Sequence, residues 1–291
     1  MAEITAAEVK KLREKTGAGM MECKNALVTT EGDFAKAEKI LKEKGLAALE
    51  KRAGRATDNG KIFVKKNDCS CDSCASCAVL VELNAETDFV ARNPDFIALG
   101  ETIAAKALEN HLSSPTDELN SLVQDLATKI RENMGLKRLA LIKASSNEYL
   151  TQYIHGDGAI GVVVKCESDK PEIFKNEEVK SFIFSLALHI AAFNPQAIDR
   201  SRIDKEWLKE QEGIFKVQME KDDKLKGKPE NVLSGILQGK VNKFLSDICM
   251  LEQGYVKDEK LTVAKAIEEC AKKAGAKLTV NDYIYYKVGA E

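Results

Sequence analysis

The sequence has no excess of charge of either sign, with 44 lysines and arginines against 46 aspartates and glutamates and a formal net charge of −2. Proteins that bind nucleic acid, and segments that hold a protein to an anionic membrane, are usually strongly basic. The balance therefore argues against a direct nucleic-acid partner and against a polybasic membrane anchor.

The sequence also lacks a long hydrophobic run. Its longest apolar-biased stretch covers residues 181–193, whereas a membrane-spanning helix needs about 20 residues. Residues 1–15 contain no apolar segment of the kind found in a secretory signal. We therefore expect no membrane association and a cytoplasmic location. In that reducing compartment the eight cysteines do not indicate a disulfide framework.

Histidine is scarce, and no catalytic constellation accompanies it. His111, His155 and His189 lie far apart and outside any metal-ligand or triad pattern. We interpret His189, on the apolar face of a predicted helix, as a half-buried residue with satisfied hydrogen bonds. Residues 54–61 and 235–240 resemble phosphate-binding loops, but both have the wrong spacing and the wrong structural context. The sequence thus predicts no enzyme, no nucleotide site of its own and no required cofactor.

The composition is that of an ordinary folded protein, with 291 residues of which 44% are hydrophobic and 31% charged. Such a length corresponds to one large domain or to two or three small ones, at roughly 100–200 residues per domain. The hydrophobic pattern favours several units that together belong to the α+β class.

Residues 1–55 are predicted to form three short helices. Thr5 and Glu8 have the spacing of a capping box, in which each side chain accepts a hydrogen bond from the backbone of the other. Gly17 is predicted to end the first helix and Gly45 the third. Three short helices bury little area, so such a unit typically serves as a binding module beside a larger body.

Two sheet-plus-helix units are predicted to follow, one at residues 56–145 and one that combines residues 146–200 with 250–291. A shift of 83 residues aligns several apolar positions of the two units, which we therefore interpret as related. Ile97 is expected to face the first core, and the last strand to return to the second sheet. The predicted strands cover residues 61–66, 78–83, 138–144, 149–155, 159–166 and 278–288, and the predicted helices cover residues 96–108, 117–134, 179–193 and 261–274.

Residues 201–249 have the most regular pattern and predict an antiparallel coiled-coil hairpin. A sharp turn is expected at residues 226–229, where glycine ends one helix and proline opens the next. Apolar residues recur at helical spacing on both arms: Ile203, Trp207, Ile214 and Phe215 on the first, and Leu233, Leu237, Val241, Phe244 and Ile248 on the second.

A dense group of cysteines, Cys69, Cys71, Cys74 and Cys77, could bind one tetrahedral Zn²⁺ through four thiolates. Structural zinc sites more often use two separated Cys-x-x-Cys pairs, whereas this group lies in the loop of a single hairpin. Weak metal binding and simple surface thiols remain the alternatives. Thiol catalysis is less favoured, because no basic residue among the cysteines would lower a thiol pKa.

Residues 87–93 (Thr-Asp-Phe-Val-Ala-Arg-Asn) follow a predicted strand and allow two interpretations. The residues alone favour a strand end and turn with Phe89 in the core, where an isolated phenylalanine usually lies. The alternative is an interface anchor, because an exposed aromatic side chain flanked by charge on a rigid support is typical of binding hot spots.

Several segments together resemble the translation elongation factor Ts family. They are residues 12–24, 87–93, 155–162, 189–195 and 227–229, and they are collinear with the family over nearly the whole chain. The family comprises guanine-nucleotide exchange factors for elongation factor Tu. The resemblance implies a ubiquitin-associated-like three-helix domain, a core of two subdomains and a coiled-coil excursion.

The resemblance also implies how elongation factor Tu would be bound. Thr87, Asp88, Phe89 and Val90 would enter its GTPase domain, with Phe89 as a wedge that dislocates Mg²⁺ and promotes GDP release. The other implied contacts are Leu12, Arg13, Met20 and Met21 on the GTPase domain and His155 on a different domain.

Two departures from the family pattern accompany this resemblance. The cysteine segment is an insertion, and the further C-terminal segment of longer members is not expected to contribute contacts here. A homodimer of the complex is left open. Two rival functions are a thiol or zinc protein centred on residues 69–77, and a pure interaction module in which the three-helix unit binds some other partner.

Overall fold

The fold is known from a computed structural model that describes residues 4–68, 76–222, 225 and 228–290. Within these residues the architecture is mixed helix and sheet, as predicted, with about ten α-helices and small antiparallel sheets. The helices are α1 (Ala6–Thr16), α2 (Met20–Thr29), α3 (Phe34–Glu50), α4 (Asp88–Ala91), α5 (Pro94–Glu109), α6 (Asp117–Ile130), α7 (Glu177–Phe193), α8 (Lys205–Glu220), α9 (Glu230–Ile248) and α10 (Val263–Ala274). The strands are β1 (Asn59–Asp68), β2 (Ser76–Ala85), β3 (Met134–Ala144), β4 (Glu148–His155), β5 (Ile160–Ser168), β6 (Gly254–Tyr255), β7 (Asp258–Thr262) and β8 (Leu278–Lys287).

The first three helices share a small core of their own. The predicted capping box is present at the start of α1, where Glu8 accepts from the Thr5 backbone at 2.8 Å and Thr5 accepts from the Glu8 backbone at 3.3 Å. The buried side chains of the three helices pack together: Val9, Leu12, Cys23, Ala26, Leu27, Ala37 and Leu41.

Gly45 does not end the third helix, as the sequence predicted, because α3 continues through it to Glu50. The glycine serves packing instead. A Cβ atom at position 45 would lie 2.1 Å from Cγ2 of Thr128 on α6, which is closer than any real contact. The missing side chain therefore lets α3 approach α6 and rest the three-helix unit against the first sheet-plus-helix unit.

The first sheet has the order β1-β2-β3 and is covered on one face by α5 and α6. Two predictions about these helices are wrong. Ile97 is 36% exposed and the neighbouring Phe96 takes the buried position, although the rest of the buried face of α5 lies where it was predicted. Helix α6 ends at Ile130 rather than continuing to Met134, because Arg131 adopts a left-handed conformation with φ of 70°.

The second sheet has the order β4-β5-β8 and is covered by α7 and α10. The expected return of the last strand is confirmed, because β8 pairs antiparallel with β5. The other faces of the two sheets pack against each other, with Ile62 and Leu80 of the first meeting Leu150 and Val163 of the second. The resulting layers run helix, sheet, sheet, helix, which explains why β2 is buried on both faces along its whole length.

Helices α8 and α9 form an antiparallel pair beyond the second sheet. The ring of Phe244 lies 5.7 Å from that of Trp207 and 5.5 Å from that of Phe215. Ile214 was predicted to face α9 but is 49% exposed on the outside of the pair. The predicted turn at residues 226–229 lies largely outside the described residues. No helix in the described part of the chain is long and apolar enough to cross a membrane.

Candidate protein-interaction site

The segment at residues 87–93 forms a short, doubly capped connection between β2 and α5. Thr87 caps the one-turn helix α4 by accepting a hydrogen bond from the Val90 backbone at 3.3 Å. Asn93 caps α5 by accepting from the Asp95 backbone at 2.8 Å, and Pro94 occupies the first helical position. We call residues 87–93 the Phe89 turn. Because both ends are capped, its backbone has little freedom.

Phe89 lies on the outside of this turn, with 83% of its surface exposed. The neighbouring Asp88 is also exposed and lies 3.5 Å from the guanidinium of Arg92. Val90 is 6% exposed and packs inward, so the side chain of Val90 anchors the turn while that of the preceding Phe89 points into solvent. The core interpretation of Phe89 is therefore wrong. An exposed aromatic ring on a rigid support has the make-up of an interface anchor.

The three-helix unit presents a second group of exposed apolar side chains at the start of α2. Met20 is 42% exposed and Met21 is 66% exposed, and Arg13 on α1 is exposed as well. Leu12 requires a correction. It is fully buried in the three-helix core, so its side chain fixes α1 against its neighbours and does not reach a partner in this conformation.

His155 lies at the end of β4, just before a tight hairpin. Three of the four turn residues, Gly156, Asp157 and Gly158, have φ values of 58°, 54° and 91°, which only glycine and a few polar residues adopt readily. The imidazole of His155 is exposed and its Nδ1 lies 2.9 Å from the hydroxyl of Tyr153. This geometry leaves the ring accessible on its other side.

The hairpin turn beside His155 is tied to the first sheet. Nζ of Lys61 lies 2.7 Å from the carboxylate of Asp157, and the backbone of Ile62 donates to the carbonyl of Gly158 at 2.7 Å. The hydrogen bond from Lys61 lowers the pKa of Asp157, and the charge of Arg92 in the Phe89 turn adds a smaller contribution. These contacts bring the His155 hairpin and the Phe89 turn to the same part of the molecule.

Two exposed apolar groups escaped the sequence analysis. Val28 is 53% exposed and lies two helical turns after Met21, so the apolar character of the α2 surface could have been read from the seven-residue spacing. Ile154 and Phe184 are 43% and 41% exposed near His155, and the ring of Phe184 lies 5.8 Å from that of Tyr153. Phe184 falls in an apolar helix, where no periodicity distinguishes it from core residues.

His189 is fully buried rather than half-buried, and it belongs to the packing of α7 rather than to an exposed site. Its Nε2 lies 2.9 Å from Oε1 of Gln253, while its Nδ1 has no hydrogen-bond partner among the described residues. Burial lowers the pKa of His189. Burial therefore favours the neutral form of the ring, and the expectation that all of its hydrogen bonds are satisfied is wrong.

Of the four cysteines of the proposed zinc site, one lies within the described residues. Cys77 lies in β2 and is buried in the first core, whereas Cys69, Cys71 and Cys74 lie outside the described residues. In the described ranges no three side chains of histidine, cysteine, aspartate or glutamate form a group that could hold a metal ion.

Comparison with known proteins gives one consistent result. A sequence model of the family described as "Elongation factor TS" matches residues 86–290. Elongation factor Ts of Treponema denticola is 49% identical over 287 residues, which cover 99% of this chain and 99% of that protein. Elongation factor Ts of Treponema pallidum is 44% identical over 293 residues, covering 99% and 100%, and that of Borrelia recurrentis is 40% identical over 287 residues, covering 98% and 99%.

Proposed function

The chain belongs to the elongation factor Ts family, and from this premise we propose that it is a guanine-nucleotide exchange factor for elongation factor Tu. It binds the GDP form of that GTPase and promotes GDP release, so that GTP can bind during translation elongation in the cytoplasm. The observation that carries the proposal is the exposure of Phe89, at 83%, on a turn whose two ends are capped.

The mechanism is displacement and needs no bond-making chemistry. Phe89 enters the GTPase domain as a wedge, with Asp88 beside it and with Thr87 and Val90 holding the turn. The wedge shifts the elements that organise the bound Mg²⁺, and the phosphate contacts weaken once the ion is lost. The bound exchange factor then lowers the affinity for nucleotide, and bound nucleotide lowers the affinity for the exchange factor by the same factor, because a coupling free energy between two sites acts equally in both directions. No cofactor is required.

The remaining exposed groups extend the interface. Arg13, Met20 and Met21 pack on the GTPase domain, while His155 contacts a different domain of the partner. The ring of Phe184 and the side chain of Ile154 add apolar surface beside His155, because both are exposed there. Leu12 contributes only by holding α1 in place.

The domain organisation of the family is part of the proposal. Residues 1–55 are a ubiquitin-associated-like domain, residues 56–145 one core subdomain, and residues 146–200 with 250–291 a related second one. The pairing of β8 with β5 supports the split second subdomain. Residues 201–249 are a coiled-coil hairpin. A homodimer of the complex is testable by light scattering.

The test is release of a fluorescent GDP analogue from elongation factor Tu, with wild-type protein and with Phe89→Ala. We expect strong acceleration by the wild type and a loss of at least about tenfold in the variant, as for a binding hot spot. Ile214→Ala, which truncates an exposed apolar residue on α8, is the matched control and should leave exchange unchanged. If acceleration survives Phe89→Ala, the wedge is wrong although the function stands. If the wild type does not accelerate release, the function is wrong.

A further inference from the structure

We propose that residues 131–133, here named the α6 turn, set the position of the Phe89 turn relative to the start of α2. The inference rests on the proposed function, in which Phe89 and the methionines at the start of α2 bind the same GTPase domain. Arg131 contacts the start of α2, Glu132 contacts the Phe89 turn, and Asn133 contacts Glu86 and Arg55, which lie beside these two segments.

The backbone of the α6 turn makes this divergence possible. Arg131 has φ of 70° and closes α6 by donating its backbone N–H to the carbonyl of Ala127 at 2.8 Å. A left-handed residue just after a helix ends the helix and turns the chain away from its axis. The side chains that follow therefore leave the helix axis in different directions.

Arg131 reaches the three-helix unit. Its guanidinium forms an ion pair with the carboxylate of Glu22, and that carboxylate also accepts the backbone N–H of Gly19 at 2.8 Å. The hydrogen bond from Gly19, followed by that from Arg131, lowers the pKa of Glu22. Through the backbone N–H of Gly19, which directly precedes Met20, Glu22 thus caps the N-terminus of α2. Through Arg131 it joins this helix start to the end of α6.

Glu132 reaches the Phe89 turn. Both of its carboxylate oxygens lie 3.1 Å from the hydroxyl of Thr87, which donates to them. The same hydroxyl accepts the backbone N–H of Val90 at 3.3 Å. The carboxylate therefore fixes the rotamer of the capping side chain, and through the cap it fixes the backbone that carries Phe89.

Asn133 closes the arrangement from the other side. Its backbone N–H donates to Glu86 at 2.6 Å, and its side-chain amide donates to the carbonyl of Arg55 at 2.9 Å. The hydrogen bond from Asn133 lowers the pKa of Glu86, which lies 3.1 Å from the guanidinium of Arg55. The linker after the three-helix unit and the residue before Thr87 are thereby held at one point.

Packing at the same point makes the contact specific. A Cβ atom at Gly17, in the turn between α1 and α2, would lie 2.9 Å from the carbonyl oxygen of Lys129 in the last turn of α6. The backbone of the α1–α2 turn therefore rests directly on the end of α6. The ion pair between Arg131 and Glu22 adds a directional interaction to this close backbone contact.

The ion pair between Arg131 and Glu22 is about half exposed, which indicates positioning rather than stability, whereas the contacts of Glu132 with Thr87 and of the Asn133 backbone with Glu86 are partly buried. The side chains of Arg131 and Glu22 are 46% and 50% exposed, and pairs of this kind contribute little to the free energy of unfolding. Their loss should therefore appear in nucleotide exchange more than in the melting temperature. We treat Arg131 as a positioning residue that acts through Met20 and Met21, and Glu132 as a positioning residue that acts through Phe89.

The test uses Glu132→Ala and, as its conservative counterpart, Glu132→Gln, which keeps an oxygen for the Thr87 hydroxyl. At saturating exchange factor we expect Glu132→Ala to slow GDP release by about threefold to tenfold, the range set by one hydrogen bond. Glu132→Gln should stay within about twofold of wild type by the same reasoning. Glu118→Ala, which removes an exposed carboxylate at the start of α6, is the matched control and should have no effect.

Double variants separate positioning from a general structural role. In a Phe89→Ala background, Glu132→Ala should cause no further loss, because Glu132 acts only through Phe89. Arg131→Asn keeps a residue that tolerates the left-handed conformation, and its effect should vanish when Met20 and Met21 are both alanine. Additive losses, or a fall in melting temperature that matches the loss of exchange, would overturn the inference.

Hydrogen exchange of the protein alone keeps the inference separate from the proposed function. The backbone N–H of Val90 donates to Thr87, so it should exchange faster in Glu132→Ala and at the wild-type rate in Glu132→Gln. Unchanged Val90 protection in Glu132→Ala would contradict the role of Glu132 even if wild-type protein accelerates GDP release. Faster Val90 exchange without accelerated GDP release would retain the α6 turn and reject the function.

Discussion

The carboxylate of Glu82 is completely buried and accepts a hydrogen bond from Nε of Arg138 at 2.6 Å, directly across β2 and β3. Its other oxygen accepts the backbone N–H of Gly289 at 3.0 Å, and the guanidinium of Arg138 also donates to the carbonyl of Lys287 at 3.0 Å. The pair therefore joins the first sheet to the end of β8 in the second sheet, and it adds a second charged link between the layers to the one formed by Lys61 and Asp157.

Removing one member of this pair should be costly. Arg138→Met leaves the carboxylate of Glu82 buried with one hydrogen bond, and we expect the free energy of unfolding to fall by roughly 3–5 kcal/mol. Urea unfolding measures this directly. Glu82→Gln together with Arg138→Met removes both charges and should recover a large part of the loss. Equal losses in the single and double variants would show that the charge of Glu82 is not the cause.

Gly45→Ala should destabilise the protein, although alanine is ordinarily about 0.5–1 kcal/mol better than glycine inside a helix. The new methyl group would lie 2.1 Å from Cγ2 of Thr128, a β-branched side chain with little freedom to move. We expect a loss of roughly 1–3 kcal/mol, as for other overpacked contacts, measured by chemical unfolding.

Thr128→Ala supplies the control for that prediction. It removes Cγ2, and its hydroxyl has no hydrogen-bond partner in the described part of the chain, so the substitution alone should cost little. The double variant with Gly45→Ala should return to within about 1 kcal/mol of the wild-type stability. Failure of Thr128→Ala to rescue Gly45→Ala would mean that the glycine serves something other than the approach of α3 to α6.

Stability should depend on pH through His189. Gln253 donates its amide N–H to the carbonyl of Asp247 at 2.6 Å, so its oxygen faces Nε2 of His189 and a second proton would have to sit on the unpartnered Nδ1. The pKa of His189 is lowered by burial, so the unfolded chain binds a proton at a higher pH than the folded chain does. Stability is therefore complete above the ordinary histidine pKa of about 6.5 and declines below it.

The expected decline is up to about 1.4 kcal/mol per pH unit from pH 6.5 down to the lower folded-state pKa. His189→Gln keeps a donor toward Gln253 but does not titrate, so its unfolding free energy should lack this slope. Comparison of the two urea-unfolding series across pH 5–8 isolates the contribution of His189. Parallel curves for the two proteins would exclude it.

The cysteine segment is open to a direct chemical test. Serine at Cys69, Cys71 and Cys74 should leave GDP release unchanged, because the proposed interface contains none of these residues. Cys77 is kept because it is buried in the first core. Metal analysis decides the zinc hypothesis: about one zinc per wild-type chain that disappears in the triple variant supports it, and a metal-free wild type refutes it.

Local patterns in the sequence located most helices and strands, and the errors have physical causes. Glycine at position 45 ends helices in many proteins, but here its lack of a side chain serves a contact with Thr128 that sequence does not reveal. Residues 131–134 continue the helical pattern in the sequence. In the structure the left-handed conformation of Arg131 ends the helix, and β3 begins at Met134. Both outcomes depend on what packs against the segment.

The candidate site shows the same limit more sharply. Composition alone favoured a buried Phe89, and the residue proved exposed because its neighbours Val90 and Ala91 fill the core instead. The capping signals at Thr87 and Asn93 were present in the sequence and would have predicted a rigid turn. Which side chain of a short rigid turn points outward is decided by the sheet and helices around it.

The pairing of β5 with β8 has a consequence for synthesis. The register pairs Ser168 with Leu278 and Ile160 with Lys287, so more than a hundred residues separate β5 from its second neighbouring strand in the sequence. Contacts of such high order form slowly, and an unpaired strand edge can recruit other chains in the meantime. A nascent chain that has emerged only as far as α9 therefore holds β5 with an open edge, exposed to chaperones and to other unfinished chains until β8 arrives.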